Sequence, residues 1–248
     1  MSLTSPQRFS ALALTCALTF VLAGCSGNPF KPPADNGNGG LPPDTPLNDS
    51  PQNTMTRFQR TYEYQVQPEY VKLLTSDFRY TFSSDTDPTL VAQYGPNWGK
   101  DDEAESADHL FKGFTSSTSG NYVPGATNIT MALNSVQYFD DPAHSDSSGY
   151  YKWVTVARVV MAIEVPGTTE PQIYNIDARH EFYLVRGDAA RLDAGQTATS
   201  DRWYIRRWDD LSTSLGGAIH IASANNQVSN SSVSHPTSWG AMKGTYLR

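Results

Sequence analysis

Hydrophobic and polar positions along the 248-residue chain follow successive patterns, and each predicts a different state of the backbone. Residues 11–23 are almost continuously apolar. Residues 26–49 hold almost nothing to bury, being rich in Pro, Gly, Asn and Asp, with Pro29, Pro32, Pro33, Pro42, Pro43 and Pro46. Such a stretch stays disordered or partly extended; as a flexible coil of about 24 residues its ends lie on the order of 25–30 Å apart.

Helical spacing begins at Ser50-Pro51, where serine is a favoured N-cap and proline is preorganised for the first helical position. Met55, Phe58 and Tyr62 then recur as one face of an amphipathic helix. Pro68 interrupts it and starts a second, short helix carrying Tyr70, Leu73 and Leu74. Phe78-Arg79-Tyr80-Thr81-Phe82 alternates with period two, the mark of a half-buried strand. A loop with Pro88, Gly95 and Pro96 leads to a third helix from about Asp101. Its first turn holds Asp101, Asp102 and Glu103, which suit the positive end of a helix dipole, and its buried stripe would be Ala107, Leu110, Phe111 and Phe114.

Beyond this point the pattern is strand. Ile129, Met131 and Leu133 alternate in the first. Residues 150–165 form a long second strand with Trp153, Ala157, Val159, Met161 and Ile163 on one face. Pro166-Gly167 marks a turn, residues 173–186 return, residues 188–200 make a polar loop, and residues 202–208 are a last strand. Long strands joined by turns argue for antiparallel pairing. From residue 212 the chain is rich in Ser, Asn and Gly, but Trp239, Met242 and Tyr246 near its end offer apolar anchors for docking. The expected organisation is a leader over 1–24, a tether over 25–49, a folded domain over 50–211 and an extension over 212–248.

Charge and cysteines narrow the classes. The formal net charge is -7, and there is no basic run beyond Arg206-Arg207, so the footprint that displaces counterions from nucleic-acid phosphates is missing. Cys16 and Cys25 are the two cysteines, and Cys16 lies in the apolar leader, so no disulfide framework is expected in the mature chain.

The leader has one early cation, Arg8, an apolar run too short for a typical spanning helix, and the closing motif Leu22-Ala23-Gly24-Cys25. This resembles the lipobox of bacterial lipoproteins. The resemblance implies cleavage before Cys25, a diacylglyceryl group on its sulfur and a further fatty chain, of the palmitate kind, on the new amine. Two or three acyl chains, at about 0.8 kcal/mol per buried methylene, hold where one chain is marginal. Ser26 after the cysteine, rather than Asp, favours the outer membrane in the pattern of many Gram-negative bacteria. The expected address is therefore the cell envelope, lipid-anchored, on the periplasmic or the surface side.

The order helix, short helix, strand, helix and four strands resembles the nuclear transport factor 2-like superfamily, the cystatin-like cone. Tyr70-Val71-Lys72-Leu73-Leu74-Thr75-Ser76-Asp77-Phe78 is similar to its passage from helix into first strand. Trp203-Tyr204-Ile205-Arg206-Arg207-Trp208-Asp209-Asp210 resembles its last strand. The resemblance implies an α+β fold, a curved antiparallel sheet packed on N-terminal helices, with an apolar cavity at the wide end. Its members include isomerases, dehydratases, polyketide cyclases and many binding domains, so fold alone does not assign function.

His180 shares its strand parity with Tyr174, Ile176, Ala178, Phe182 and Leu184, which places an imidazole on the inner face. There it could act as a general base or orient a ligand, and equally it could be a core histidine satisfied by a neighbour. Tyr62, Tyr80 and Trp153 are candidates to line the same cavity, or are simply core. Residues 140–146 gather oxygen ligands and His144 without metal-site spacing, so a solvated loop is expected and no metal or cofactor. No phosphate loop, nucleophile elbow or zincin motif occurs. The expected function is a non-catalytic domain binding a small apolar ligand, an envelope protein or a second copy of itself. The alternative is an isomerase- or dehydratase-like enzyme with His180 as base.

Overall fold

The computed structural model describes residues 40–85, 87–147, 149–213 and 233–247. The leader and Cys25 lie outside the described residues.

Helix α1 is Pro51–Glu63; the Ser50 hydroxyl accepts from the Asn53 amide at 3.1 Å, the cap that the Ser-Pro pair predicts. It buries Met55, Phe58 and Tyr62. The end of the proline-rich stretch is part of the domain rather than tether. Asn48 accepts from the Trp203 amide at 2.8 Å and donates to the Trp203 carbonyl at 2.7 Å, and the Pro46 carbonyl accepts from Arg57. These backbone groups find strand and helix partners, which composition does not reveal.

Helix α2, Gln67–Val71, leads into β1, Leu74–Thr81. Where a loop was expected, Pro88 opens a short helix, α3 (Pro88–Tyr94), and β2 (Asn97–Gly99) follows. Helix α4 is Lys100–Lys112. It ends at Gly113, whose φ of 76° favours glycine and where a side chain would lie 2.7 Å from the Gly125 amide nitrogen and 2.8 Å from the Val123 carbonyl oxygen. The small pair β3 (Phe114–Thr115) and β4 (Tyr122–Val123) comes next.

The long strands are β5 (Asn128–Asp140), β6 (Tyr151–Val165), β7 (Gln172–Arg186) and β8 (Trp203–Asp210), with a 3-10 turn at Pro142–Ser147. The chain then forms β9 (Val233–Pro236) and α5 (Trp239–Thr245). Among the described residues no helix is long and apolar enough to cross a membrane.

The main sheet runs β2-β1-β8-β7-β6-β5, with β9 added on β7. The α+β class is as expected, a curved sheet packed on helices. The meander β5 to β8 is antiparallel. The sheet as a whole is mixed, since β1 pairs parallel with β8 and β9 parallel with β7. Both parallel pairs join strands separated by long connections, which removes the hairpin constraint that favours antiparallel neighbours.

One irregularity decides which side chains face inward. The β6–β7 register slips between Val156 and Val159, and both Ala157 and Arg158 are exposed. This bulge reverses the parity of β6. Val154 and Val156 are buried before it, and Val159, Met161, Ile163 and Val165 after it. Trp153 therefore lies on the outer face, against Phe139 at 5.4 Å between ring centres, and not on the face of Val159.

Candidate functional site

The inner face of the sheet and helices α1, α2 and α4 enclose an aromatic interior. Phe58 meets Phe182 at 5.2 Å and Trp208 at 5.1 Å, and Tyr62 meets Tyr70 at 5.0 Å and Phe111 at 5.4 Å. Helix α5 closes this interior. Trp239, Met242 and Tyr246 recur at helical spacing, and all are buried. Trp239 stacks on Trp208 at 5.8 Å and meets Tyr62 edge-on at 5.5 Å. Ser238 caps the helix by accepting from the Ala241 amide at 2.9 Å. Gly240 lets the helix approach closely, since a side chain there would meet the Asp87 carboxylate.

Asp87 is buried against the start of α5, and two further buried carboxyl groups reach deeper into this interior. Glu103, 1% exposed, stands one turn before Ala107 on the inner stripe of α4. It accepts from Trp98 Nε1 at 3.0 Å, from Tyr62 at 3.4 Å and from Tyr70, and it is paired with the ammonium of Lys243 on α5. Lys243 is itself 2% exposed. Asp210, at the end of β8, accepts from Tyr80 at 3.2 Å, from the Gly240 amide at 3.2 Å, and from the Ser212 amide (2.9 Å) and hydroxyl.

Burial sets the electrostatics. It pushes Lys243 down to about 8, against the pull of Glu103 and Asp210 toward the charged form. Burial raises the tyrosines Tyr62 and Tyr70 well above the ordinary value, reinforced by Glu103; it does the same for Tyr80, reinforced by Asp210. His180 is fully buried and held below its ordinary value by desolvation, which outweighs the opposing influence of Asp210. Its Nδ1 accepts from Trp208 Nε1 at 3.0 Å, which makes the neutral ring the fitting state, and stands 3.9 Å from Asp210 Oδ1, beyond bonding reach. Its Nε2 makes no well-formed hydrogen bond among the described residues, although the Asp209 backbone joins Asp210 in favouring the charged ring.

The structure thus brings Tyr62, Tyr80 and His180 into one interior and places Trp153 on the opposite side of the sheet. Sequence reasoning missed Glu103 and Lys243. Both had a signal: Glu103 shares a helical face with Ala107, Leu110 and Phe111, and Lys243 shares one with Trp239 and Tyr246. Among the described residues no cluster of three or more His, Cys, Asp or Glu side chains is placed to hold a metal ion.

Outside this interior, an open groove of about 720 Å³ runs between β4, the β6–β7 turn and α5, bordered by Tyr122, Pro124, Pro166, Tyr174 and Tyr246, with Lys112 as the one charged side chain among its described lining residues. A second loop cluster joins His144 to Asp141 at 2.9 Å, with His144 stacked on Tyr151 at 4.0 Å.

No protein-family model matches the chain, and no curated protein matches it. Among solved structures, similar arrangements include a candidate scytalone dehydratase from Novosphingobium aromaticivorans, at 10% identity and TM-score 0.42 over 65% of this chain and 80% of that one. A nuclear transport factor 2-like superfamily protein from Salmonella enterica gives 8% identity and TM-score 0.38 over 72% and 92%. A nuclear transport factor 2-like protein of unknown function in nutrient uptake from Rhodospirillum rubrum gives 10% identity and 0.37 over 66% and 98%. At this overlap the likeness assigns no activity, and the fold rests on this chain's own elements.

Proposed function

We propose that this chain is a lipid-anchored protein of the bacterial envelope, held by Cys25 at the outer membrane, whose folded part binds a partner or a small apolar ligand without catalysing a reaction. One observation carries the non-catalytic half. The place where a cone-shaped domain would receive a substrate is filled by Trp208, Trp239, Tyr62, Tyr70, Phe58 and Phe182, each no more than 1% exposed. A general base must come within hydrogen-bond reach of the proton it removes. His180 is sealed behind these rings, takes its bond from Trp208, and has no carboxylate to orient it within bonding distance. The groove beside α5, aromatic and prolyl at its rim and nearly uncharged, fits an apolar ligand or an uncharged protein segment. The anchor rests on the Leu22-Ala23-Gly24-Cys25 motif and the proline-rich stretch after it.

The test is intact mass spectrometry of the protein extracted from membranes with its native lipids. The expected species begins at Cys25, carries the mass of two or three acyl chains, and retains an apolar molecule or a second protein under gentle ionisation. A natural N-terminus elsewhere, or an unmodified Cys25, removes the anchor. A turnover abolished by His180→Ala would replace binding with catalysis.

A further inference from the structure

The interior is furnished for a cation to a degree that a structural ion pair does not require. The Lys243 ammonium lies 4.1 Å from the ring centres of Tyr80 and Trp208, 5.2 Å from Trp239 and 5.8 Å from Trp98. Ring faces carry the negative end of the aromatic quadrupole, so four of them around one nitrogen form a cage for an ammonium group. Glu103 supplies the countercharge and is aimed by three neutral donors, Tyr62, Tyr70 and Trp98, that do not depend on the lysine. Apart from the Trp239 ring, which α5 carries together with Lys243, the cage residues come from α1, α2, α4, β1, β2 and β8.

The lysine arrives as a ligand does. Helix α5 has seven residues, two of them glycine, too short and too weak in propensity to stand without docking. The segment before it pairs with the sheet as β9, and Lys243 sits inside the cage. A buried pair of this kind is no better than apolar packing as a source of stability, so its geometry reads as recognition.

We propose that this cage is a binding site for a primary aliphatic ammonium group, occupied in the protein by Lys243 as a tethered ligand, and able to take a free alkylamine when that side chain is absent. The inference is independent of the membrane anchor and of the surface groove.

The test uses the full chain carrying Lys243→Ala, which deletes the stem and nitrogen that n-propylammonium reproduces. Thermal midpoint and calorimetric titration with n-propylammonium are compared with n-propanol, of the same length and without charge. The amine is expected to bind saturably, at least tenfold more tightly than the alcohol, and adding Glu103→Gln is expected to abolish that preference. Lys243→Met, which fills the same space, is expected not to respond. Equal binding of amine and alcohol, no binding of the amine to the folded variant, or an equal response of Lys243→Met would overturn the proposal. If Lys243→Ala does not fold alone, refolding yield gives the same reading: recovery with the amine alone supports the site, and recovery with both or neither refutes it.

Discussion

The two faces of the main sheet handle charge in opposite ways. On the outer face Arg158 grips Asp177 with bonds of 2.6–3.0 Å, Arg179 meets Glu181 at 2.8 Å, and Arg207 meets Asp209 at 2.6 Å. Their arginine side chains are 57%, 56% and 45% exposed, so water remains a partner for each. On the inner side one lysine and one glutamate meet in an interior where the chain supplies every partner. Glu181 and Asp209 are themselves largely covered, but where both partners reach solvent, as in Arg158–Asp177, a pair gains little because water competes for both charges. A buried pair has already lost its water, so breaking it leaves a buried charge without its counter-ion. The same chemical contact is therefore nearly dispensable at Arg158–Asp177 and hard to lose at Lys243–Glu103.

The largest expected effect follows from that asymmetry. Glu103→Ala should destabilise the domain by about 3–5 kcal/mol, the usual range for removing one partner of a buried ion pair. Lys243→Met should be similarly harmful, and the double variant Glu103→Ala/Lys243→Met should lose clearly less than the sum of its two single changes. Urea unfolding of the four proteins measures the coupling. Additive losses would show that the two groups act separately and would erase the contrast with the outer face.

A smaller effect is expected in the pH profile. Lys243 releases its proton near 8 in the folded state, whereas an unfolded lysine holds it to about 10.5. Between those values the unfolded chain binds more protons, so this group makes stability rise with pH across that window. Tyr62, Tyr70 and Tyr80, raised by burial, act in the opposite sense from about pH 10 upward, where unfolded tyrosines ionise first. On the acid side His180 is held neutral, so its contribution is lost as pH falls below about 6.5. The titratable groups that interact with Lys243 include Glu103, Asp210, Tyr80 and His180. Unfolding free energy should climb from pH 8 to 10 and then fall, and Lys243→Met should lack the climb. A wild-type protein and a Lys243→Met variant with the same slope would show that the lysine is charged throughout.

What the sequence made legible is whatever depends on local period. The Ser50-Pro51 start of α1, the four-strand meander and the inward parity of His180 are all written in spacing of 3.6 or 2. Trp153 was misplaced because a bulge at Ala157-Arg158 shifts parity without any glycine or proline to mark it. Glu103 was hidden by a competing local explanation, since an acid in the first turn of a helix is favourable there even when fully exposed. Lys243 was hidden by distance: its partner lies 140 residues earlier, and a polar stretch separates α5 from the rest of the domain. The docking of Asn48 on Trp203 spans 155 residues and is set by tertiary placement alone. Period reports which face a residue takes, and it does not report what lies opposite.

The smallest effect belongs to the outer face and is the sharpest control on the comparison. Arg158 and Asp177 form a two-pronged pair of good geometry, and by contact alone it looks as firm as the interior one. Arg158→Ala should nevertheless leave the unfolding midpoint unchanged within experimental scatter, at low and at high salt, because both charged groups return to water. The neighbouring bulge should persist, since its register is fixed by Val156 and Val159 packing inward on either side of it. A loss as large as that of Glu103→Ala would mean that this face is covered in the protein under test. If that loss also grew with protein concentration, the cover would be a second copy of the chain, and the outer arginines would then belong to a buried surface as much as Lys243 does.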